Sequence, residues 1–466
     1  MSNTNNNAQN NAQNNTNAAG QGLEVLLDPR KEVITNNAGH SLDLLVRLRA
    51  PLQTGEVKRT PLAISLVIDR SGSMGGSKIA EAKRCALDLL GRLDDEDKVS
   101  LVVYDTSIDV LLETMPVRLA RTLMPMRLLD FDARGGTALH AGWLKGAETL
   151  APTAGSAMMS RVILLSDGQA NHGIVDTQQI CDQVRELASA GVTTSTVGIG
   201  VDFNEELMTA IANAGQGNSW YGERVEDLAE SFDAEMGFLA NLAFQDVRVK
   251  LDTPLLARMG QIQVRNDYIQ NSKGQYCLPS IAAGSEVWMA ISLSMNEVIH
   301  LQDSNSVLTC TISLKDKQGK EQQCQVKLPA MPVVGLPEYR MATENELVAR
   351  RFNEVESAEI QREARRHVQN RNWDAVEGLV RQLEDRAHNN PWLQETVKYL
   401  RKLLDRRDSG LMEKELMYSS SKMMNRVADL NDSMMFCMDE EAVKPAYMRK
   451  KVSQGRNTDS QGDVQK

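Results

Sequence analysis

A regular alternation of strand-like and helix-like segments between residues 61 and 241 constrains the fold of this chain more than any other feature. Residues 62–68 (LAISLVI) and 161–166 (RVILLS) are apolar over almost their whole length. Strands of that kind are buried on both faces, as in a parallel sheet whose crossover helices cover it. The segments between the strands carry apolar residues at a helical period. We therefore predict an α/β domain with a doubly wound, mostly parallel, Rossmann-like sheet at residues 61–241.

The segments on both sides of this domain have a different pattern. Residues 23–60 and 242–335 alternate apolar and polar side chains between polar turns, which is typical of antiparallel strands. Because two strands alone are only marginally stable, we expect both segments to form one β-sandwich-like domain into which the α/β domain is inserted. The remaining predictions are a disordered Asn-rich tail at 1–22, a helical region with a helical hairpin at 336–438, and a flexible tail at 439–466.

Composition excludes several classes of function. Lys and Arg total 52 against 62 Asp and Glu, and the resulting net charge of −10 speaks against a nucleic-acid binder held by phosphate contacts. No apolar run reaches the length of about 18 residues that a membrane span needs. The six cysteines are scattered without a CxxC pair, and the first residues lack the basic and apolar parts of a secretory signal. These features predict a cytoplasmic protein and leave its oligomeric state open.

Polar side chains follow the predicted parallel strands at the edge where ligands bind in such sheets. Asp69, Ser71 and Ser73 come directly after the first buried strand. Thr137 stands directly before a later predicted helix. Asp167 follows the buried strand at 161–166 and is itself followed by Gly168. In doubly wound sheets the crevice outside the carboxyl ends of the strands holds the ligand. Two carboxylates and three hydroxyls are hard oxygen donors, so this set predicts a site for Mg²⁺ or Mn²⁺.

These motifs resemble the metal-ion-dependent adhesion site of von Willebrand factor type A domains. The DxSxS sequence, the GGT loop and the LLSDG sequence match that pattern at all five positions named above. The resemblance implies that the two Ser, and in some states Thr137, contact the metal, that the two Asp act mostly through water, and that an Asp or Glu of a partner completes the shell. The β segment from Phe244 and the helical stretch around Trp373 are similar to those of bacterial cytoplasmic members of this family.

The resemblance and the donor set predict a Mg²⁺-dependent protein-interaction module, not an enzyme, whose partner supplies an Asp or Glu to the metal. A Mg²⁺-dependent phosphatase or nucleotide hydrolase is an alternative, although Ser71 stands where an aspartyl-phosphate enzyme would carry a second Asp. A Ser–His–Asp triad through His140 or His172 is disfavoured, because no Ser here lies in a GxSxG elbow. The third alternative is a scaffold that acts mainly through its C-terminal helices.

Overall fold

The computed structural model describes residues 22–35, 40–52, 60–153, 158–199, 203–222, 236–253, 259–295, 306–317, 319–388, 390–424 and 428–429. Almost all of the predicted Asn-rich tail and the predicted tail at 439–466 lie outside these ranges. The helical period of the sequence also predicts a helix at 225–242, and most of that segment lies outside the described ranges as well. The chain divides into two compact units. One comprises Gly55–Asp246 with Lys317–Lys320, and the other comprises Met1–Thr54, Val247–Asp316 and Glu321–Lys466.

The first unit is an α/β structure around one sheet. Its strands are β4 (Leu62–Asp69), β5 (Lys98–Tyr104), β6 (Ile108–Pro116), β7 (Met159–Ser166), β8 (Val192–Ile199) and β9 (Gln216–Gly222). Its helices are α1 (Ser77–Arg92), α2 (Val117–Arg127), α3 (Leu139–Thr149), α4 (Thr177–Ser189) and α5 (Glu205–Ala214). The strand order is β6-β5-β4-β7-β8-β9, and all neighbours are parallel except β6 beside β5. The predicted α/β class with a mostly parallel sheet is confirmed.

Strand β4 lies inside this sheet, and all eight of its residues are buried. The chain leaves β4 to form β5 on one side and returns to form β7 on the other. This reversal leaves a crevice beyond the carboxyl end of β4, between the loops that follow β4 and β7. The edge strand β6 and helix α2 are not among the predicted elements. Only one residue of β6 is buried, so its strand pattern is weak. Helix α2 contains Pro125, a residue that usually ends or breaks a helix, so the sequence speaks against a helix there.

The second unit contains two antiparallel sheets. In chain order its strands are β1 (Glu24–Pro29), β2 (Ile34–Thr35), β3 (Ser41–Arg49), β10 (Leu242–Asp252), β11 (Met259–Val264), β12 (Tyr276–Leu278), β13 (Ile281–Ala282), β14 (Ser285–Met295), β15 (Ser306–Asp316), β16 (Glu321–Pro329), β17 (Val333–Val334) and β18 (Ala428–Asp429). One sheet has the order β1-β3-β14-β11 and the other β12-β10-β15-β16. Strands from before and after the α/β unit are therefore neighbours, because β3 pairs with β14 over nine residues.

Helices follow these sheets in the same unit. They are α6 (Leu336–Met341), α7 (Glu346–Gln369), α8 (Trp373–Arg386), α9 (Pro391–Arg406) and α10 (Ser409–Met424). Together α8 and α9 form the predicted hairpin, but α7 and α10 also pack against each other, so the helical region is larger than one hairpin. One hydrophobic cluster joins Leu45 and Trp288 of the sheet to Phe352 of α7. None of the helices in the described ranges is long and apolar enough to cross a membrane.

Candidate metal centre

The loop after β4 brings a carboxylate and two hydroxyls together. Asp69 is the last residue of β4 and is fully buried. Its Oδ1 accepts a hydrogen bond of 2.8 Å from the backbone N–H of Ser71. This bond closes an Asx turn, which the short side chain of Asp favours. The hydroxyl oxygens of Ser71 and Ser73 lie 3.0 Å apart. Two hydroxyls at this separation can contact one cation from the same side.

The end of β7 supplies the second carboxylate. Ser166 donates a hydrogen bond of 2.6 Å to Asp69 Oδ2, which ties the ends of β4 and β7 together. The same hydroxyl accepts 2.8 Å from the backbone N–H of Gly168. These bonds hold Asp167, the residue between them, at the crevice. Ser166 thus orients both acidic side chains, although it is not among the predicted site residues.

The two oxygens of Asp167 have different surroundings. Asp167 is fully buried, and its Oδ2 lies 3.3 Å from the ammonium nitrogen of Lys78. Within the part of the chain that the structure describes, Oδ1 is buried without a hydrogen-bond partner. A buried carboxylate oxygen without a partner carries a desolvation cost of about 1–3 kcal/mol or more. A metal-bound water would satisfy this oxygen, so it fits the predicted cation site.

Thr137 reaches the same edge of the sheet on a third loop. The backbone N–H of Gly72 donates a hydrogen bond of 3.0 Å to the carbonyl of Gly135, which joins the β4 loop to the Thr137 loop. The N–H of Thr137 donates 2.8 Å to Asn171 Oδ1, and Thr137 is buried. The backbone at Gly136 approaches His172 closely, and a Cβ there would lie 2.4 Å from the ring of His172 in its present position. The structure links Asp69, Ser71 and Ser73 through side-chain contacts. Asp167 is placed by the hydrogen bonds of its neighbours Ser166 and Gly168, and Thr137 is placed through its backbone.

An ion-pair network around the buried Arg70 and Asp105 connects these loops. Arg70 is almost fully buried, and its Nε donates 2.9 Å to Asp105 Oδ2. Arg134, one residue before Gly135, donates 2.8 Å to the same oxygen. Arg70 also pairs with Asp109. Two arginines and two aspartates thus balance in charge and connect the loops after β4, β5 and α2.

Asp105 is not among the residues predicted above, although the sequence contains a signal for it. It directly follows β5, the neighbour of β4, and parallel strands end at the same edge of the sheet. The polar residue after a buried strand is the pattern that identified Asp69 and Asp167. Arg70 and Arg134 carry no comparable signal, because their pairing with Asp105 depends on how the loops fold.

The electrostatics of the crevice favour an added cation. Burial is the largest influence on Asp69 and raises its pKa to about 6, while hydrogen bonds from Ser166 and Ser71 partly offset this rise. The charge of Asp167 raises the pKa further. A divalent cation would stabilise both carboxylates. Among the residues that the structure describes, no group of three or more His, Cys, Asp or Glu forms another candidate metal site.

His140 does not join these side chains in a triad. It is buried in α3, and its Nε2 lies 2.9 Å from Gln183 Oε1 on α4. Its ring also packs near Trp143. His140 therefore contacts the helix layer rather than Ser71 or Ser73, as expected if those hydroxyls serve a cation.

Comparison with known proteins agrees with this architecture. Residues 63–234 match the von Willebrand factor type A domain family. An uncharacterized protein of Synechocystis is 29% identical over 196 residues, which cover 42% of this chain and 46% of the relative. The chain spans about half the length of the curated bacterial relatives it matches.

Two solved structures share the fold over most of this chain. The von Willebrand factor type A protein from Catenulispora acidiphila has a TM-score of 0.63 at 17% identity, covering 84% of this chain and 91% of that one. The ArnB paralog VWA2 from Sulfolobus acidocaldarius has a TM-score of 0.57 at 18% identity, covering 86% of this chain and 98% of that one. The family consists of protein-interaction and adhesion modules. The strand order, the matched residues and these likenesses together identify residues 63–234 as a von Willebrand factor type A domain.

Proposed function

We propose that this protein is a Mg²⁺-dependent interaction module that binds an Asp or Glu of a partner protein. Asp69, Ser71, Ser73, Thr137 and Asp167 would hold the ion. The observation that carries the proposal is the buried Asp167 Oδ1, which has no hydrogen-bond partner among the described residues. Mn²⁺ would suit the same oxygen donors.

The hydroxyls and the carboxylates of the site would have different roles in holding the ion. The hydroxyls of Ser71, Ser73 and Thr137 would contact the ion directly and bring no charge to it. Asp69 and Asp167 would hold it through water and balance part of its charge. The ion supplies an open coordination position for a carboxylate, and it strengthens that contact because both groups are charged. A hydroxyl-rich shell thus leaves the ion attractive to an incoming acid.

Binding explains the site better than hydrolysis does. Both oxygens of Asp69 already accept hydrogen bonds, from Ser71 and Ser166, so this buried carboxylate is not aimed as a nucleophile. Lys78 is a feature that a phosphate-transferring enzyme would also use, since it lies beside Asp167. Turnover of p-nitrophenyl phosphate with Mg²⁺, lost in Asp69→Asn, would favour the enzyme instead.

Titration calorimetry with Mg²⁺ tests the proposal. We expect the wild type to bind Mg²⁺ and Asp69→Ala to lose about tenfold or more in affinity, because a carboxylate beside a divalent ion contributes strongly at the effective dielectric of a buried site. Asp182→Ala is the matched control, since Asp182 is an exposed acid paired with Arg185 on α4. Equal binding by wild type and Asp69→Ala would remove the metal from the proposal.

A pull-down with and without a chelator tests the partner side. We expect a partner that is released by the chelator and by Thr137→Ala. A scaffold acting through its helices would keep its partner in both cases. Deleting the helices is a poorer test, because they share a hydrophobic cluster with Trp288 of the sheet.

The proposal includes a cytoplasmic location. Among the residues that the structure describes, Cys85, Cys181 and Cys310 are buried thiols outside any disulfide. A reducing compartment would leave them in this state.

A further inference from the structure

We propose that Lys78 sets the charge of the metal centre, so that the loaded site keeps a net positive charge and selects an anionic group of the partner. This inference rests on the proposed function and assigns a specificity-determining role to a residue outside the metal-binding motifs. Lys78 would weaken the hold on Mg²⁺ and strengthen the capture of a carboxylate. The two effects have opposite signs and can be measured separately.

The position of Lys78 beside Asp167 supports this role. It is the second residue of α1, the helix that follows the Ser71–Ser73 loop, and its Nζ lies 3.3 Å from Asp167 Oδ2. Its side chain is 24% exposed, while that of Asp167 is fully buried. The ammonium therefore lies between solvent and a buried carboxylate of the site. An incoming partner group would meet it at the entrance.

The ion pairs that join the loops beside the crevice balance in charge. Arg70 and Arg134 both pair with Asp105, and Arg70 also pairs with Asp109, which gives two positive and two negative charges. Among the residues that the structure describes, Lys78 is the cation that pairs with a carboxylate of the site. Within the described residues, the centre thus holds Asp69 and Asp167 against one ammonium, a net charge of −1.

This balance decides the charge of the loaded site. Adding a divalent ion to a net charge of −1 leaves +1, whereas a site with the two carboxylates alone would become neutral. A neutral site attracts a carboxylate only through the local field of the ion, while a site at +1 also attracts it through its net charge. Lys78 repels the ion by the same reasoning, so removing its charge must strengthen metal binding.

Charge-neutral and charge-conserving variants test the first effect. We expect Lys78→Gln to bind Mg²⁺ about tenfold more tightly in calorimetry, the scale of one unit charge nearby in a partly exposed site. Lys78→Arg keeps the charge, and Lys145→Gln removes the charge of an exposed lysine that pairs with Glu148 on α3. Both should stay within about twofold of the wild type, since neither changes the charge beside Asp167.

Acetate as a probe tests the second effect on the Mn²⁺-loaded protein. Water-proton relaxation reports water on Mn²⁺, and a carboxylate that enters the open position displaces that water. We expect Lys78→Gln to need about tenfold more acetate than the wild type for half displacement, because the loaded site is neutral. Lys78→Arg should respond like the wild type.

The outcomes separate this inference from the proposed function. Lys78→Gln with unchanged Mg²⁺ affinity, beside an Asp69→Ala variant that loses binding, would overturn the inference and leave the metal centre standing. Equal acetate responses would overturn the selectivity claim in the same way. A wild type that does not bind Mg²⁺ would overturn both.

Discussion

At the scale of single residues, the site combines the candidate metal ligands with side chains that hold the surrounding loops in place. Asp105 is the central member of the second group, because it accepts hydrogen bonds from Arg70 and Arg134 at one oxygen and from Ser107 at the other. Burial by itself would raise the pKa of Asp105. The hydrogen bonds from Arg134 and Ser107 and the charge of Arg70 outweigh burial and lower that pKa well below its ordinary value.

We expect Asp105→Asn to lower the unfolding free energy of the α/β unit by about 3 kcal/mol at pH 7, since it leaves the buried Arg70 short of a counter-charge. The folded-state pKa of Asp105 is depressed, so its contribution is complete above pH about 4 and is lost as the pH falls below that value. The difference between wild type and variant should therefore shrink at pH 3. Urea unfolding at both pH values measures it, and a difference independent of pH would contradict the assigned pKa.

At the scale of elements, helix α3 determines how closely the Thr137 loop approaches the sheet. Thr137 stands two residues before α3, and two glycines one turn apart on this helix face the strands. A Cβ at Gly142 would lie 2.4 Å from the Tyr104 ring, and a Cβ at Gly146 would lie 2.2 Å from Val67 Cγ2. The helix can therefore pack against the strands only because these positions lack side chains.

We expect Gly146→Ala to destabilise the unit by about 2 kcal/mol despite the better helix propensity of Ala, because the added methyl overpacks the core against β4. Gly91→Ala in α1 is the matched control, since no atom lies within 4 Å of the position of its Cβ. That variant should be neutral or stabilising by up to about 1 kcal/mol. Thermal unfolding compares the two, and equal midpoints would mean that the helix shifts without cost.

Some of these elements can be predicted from the sequence pattern, and others cannot. The strands β4 and β7 are predictable because both of their faces are buried, which leaves a continuous apolar run. The spacing of Asp69, Ser71 and Ser73 is predictable for a related reason, since it follows directly from the end of such a strand. The β6 edge strand and α2 lack these signals, because each exposes much of its surface. The sequence pattern predicts only an ordinary helix start at Lys78. The position of Lys78 beside Asp167 follows from the fold.

At the scale of the whole molecule, the unit of antiparallel sheets and helices is held by a core whose residues lie far apart in the sequence. Trp288 of β14 is fully buried and lies under the guanidinium of Arg351, 5.3 Å from its ring centroid. Phe352, the next residue of α7, belongs to the same hydrophobic cluster as Trp288 and Leu45. Buried methionines of α10, Met412, Met423 and Met424, extend this cluster. Those methionines serve packing. Met434, Met435 and Met438, which follow them in the sequence, lie outside the described residues.

We expect Phe352→Ala to destabilise this unit by about 3–5 kcal/mol, the usual cost of removing a large buried ring. Hydrogen exchange followed by mass spectrometry should show faster exchange in β14 as well as in α7, because both elements depend on one core. Met341→Ala, at an 86% exposed side chain, is the control and should leave exchange unchanged. Faster exchange confined to the helices would show that the sheet folds without them.

The sequence by itself determined the α/β class, the strand that carries Asp69 and the oxygen-donor set, because these depend on local periodicity and on residues adjacent in the chain. The tertiary structure alone decided which charges meet. It placed Asp105 between Arg70 and Arg134, Ser166 against Asp69, and Lys78 against Asp167. Pairing across separate loops depends on how strand ends align, and no spacing along the chain encodes it. The net charge of the candidate site is therefore a property of the fold.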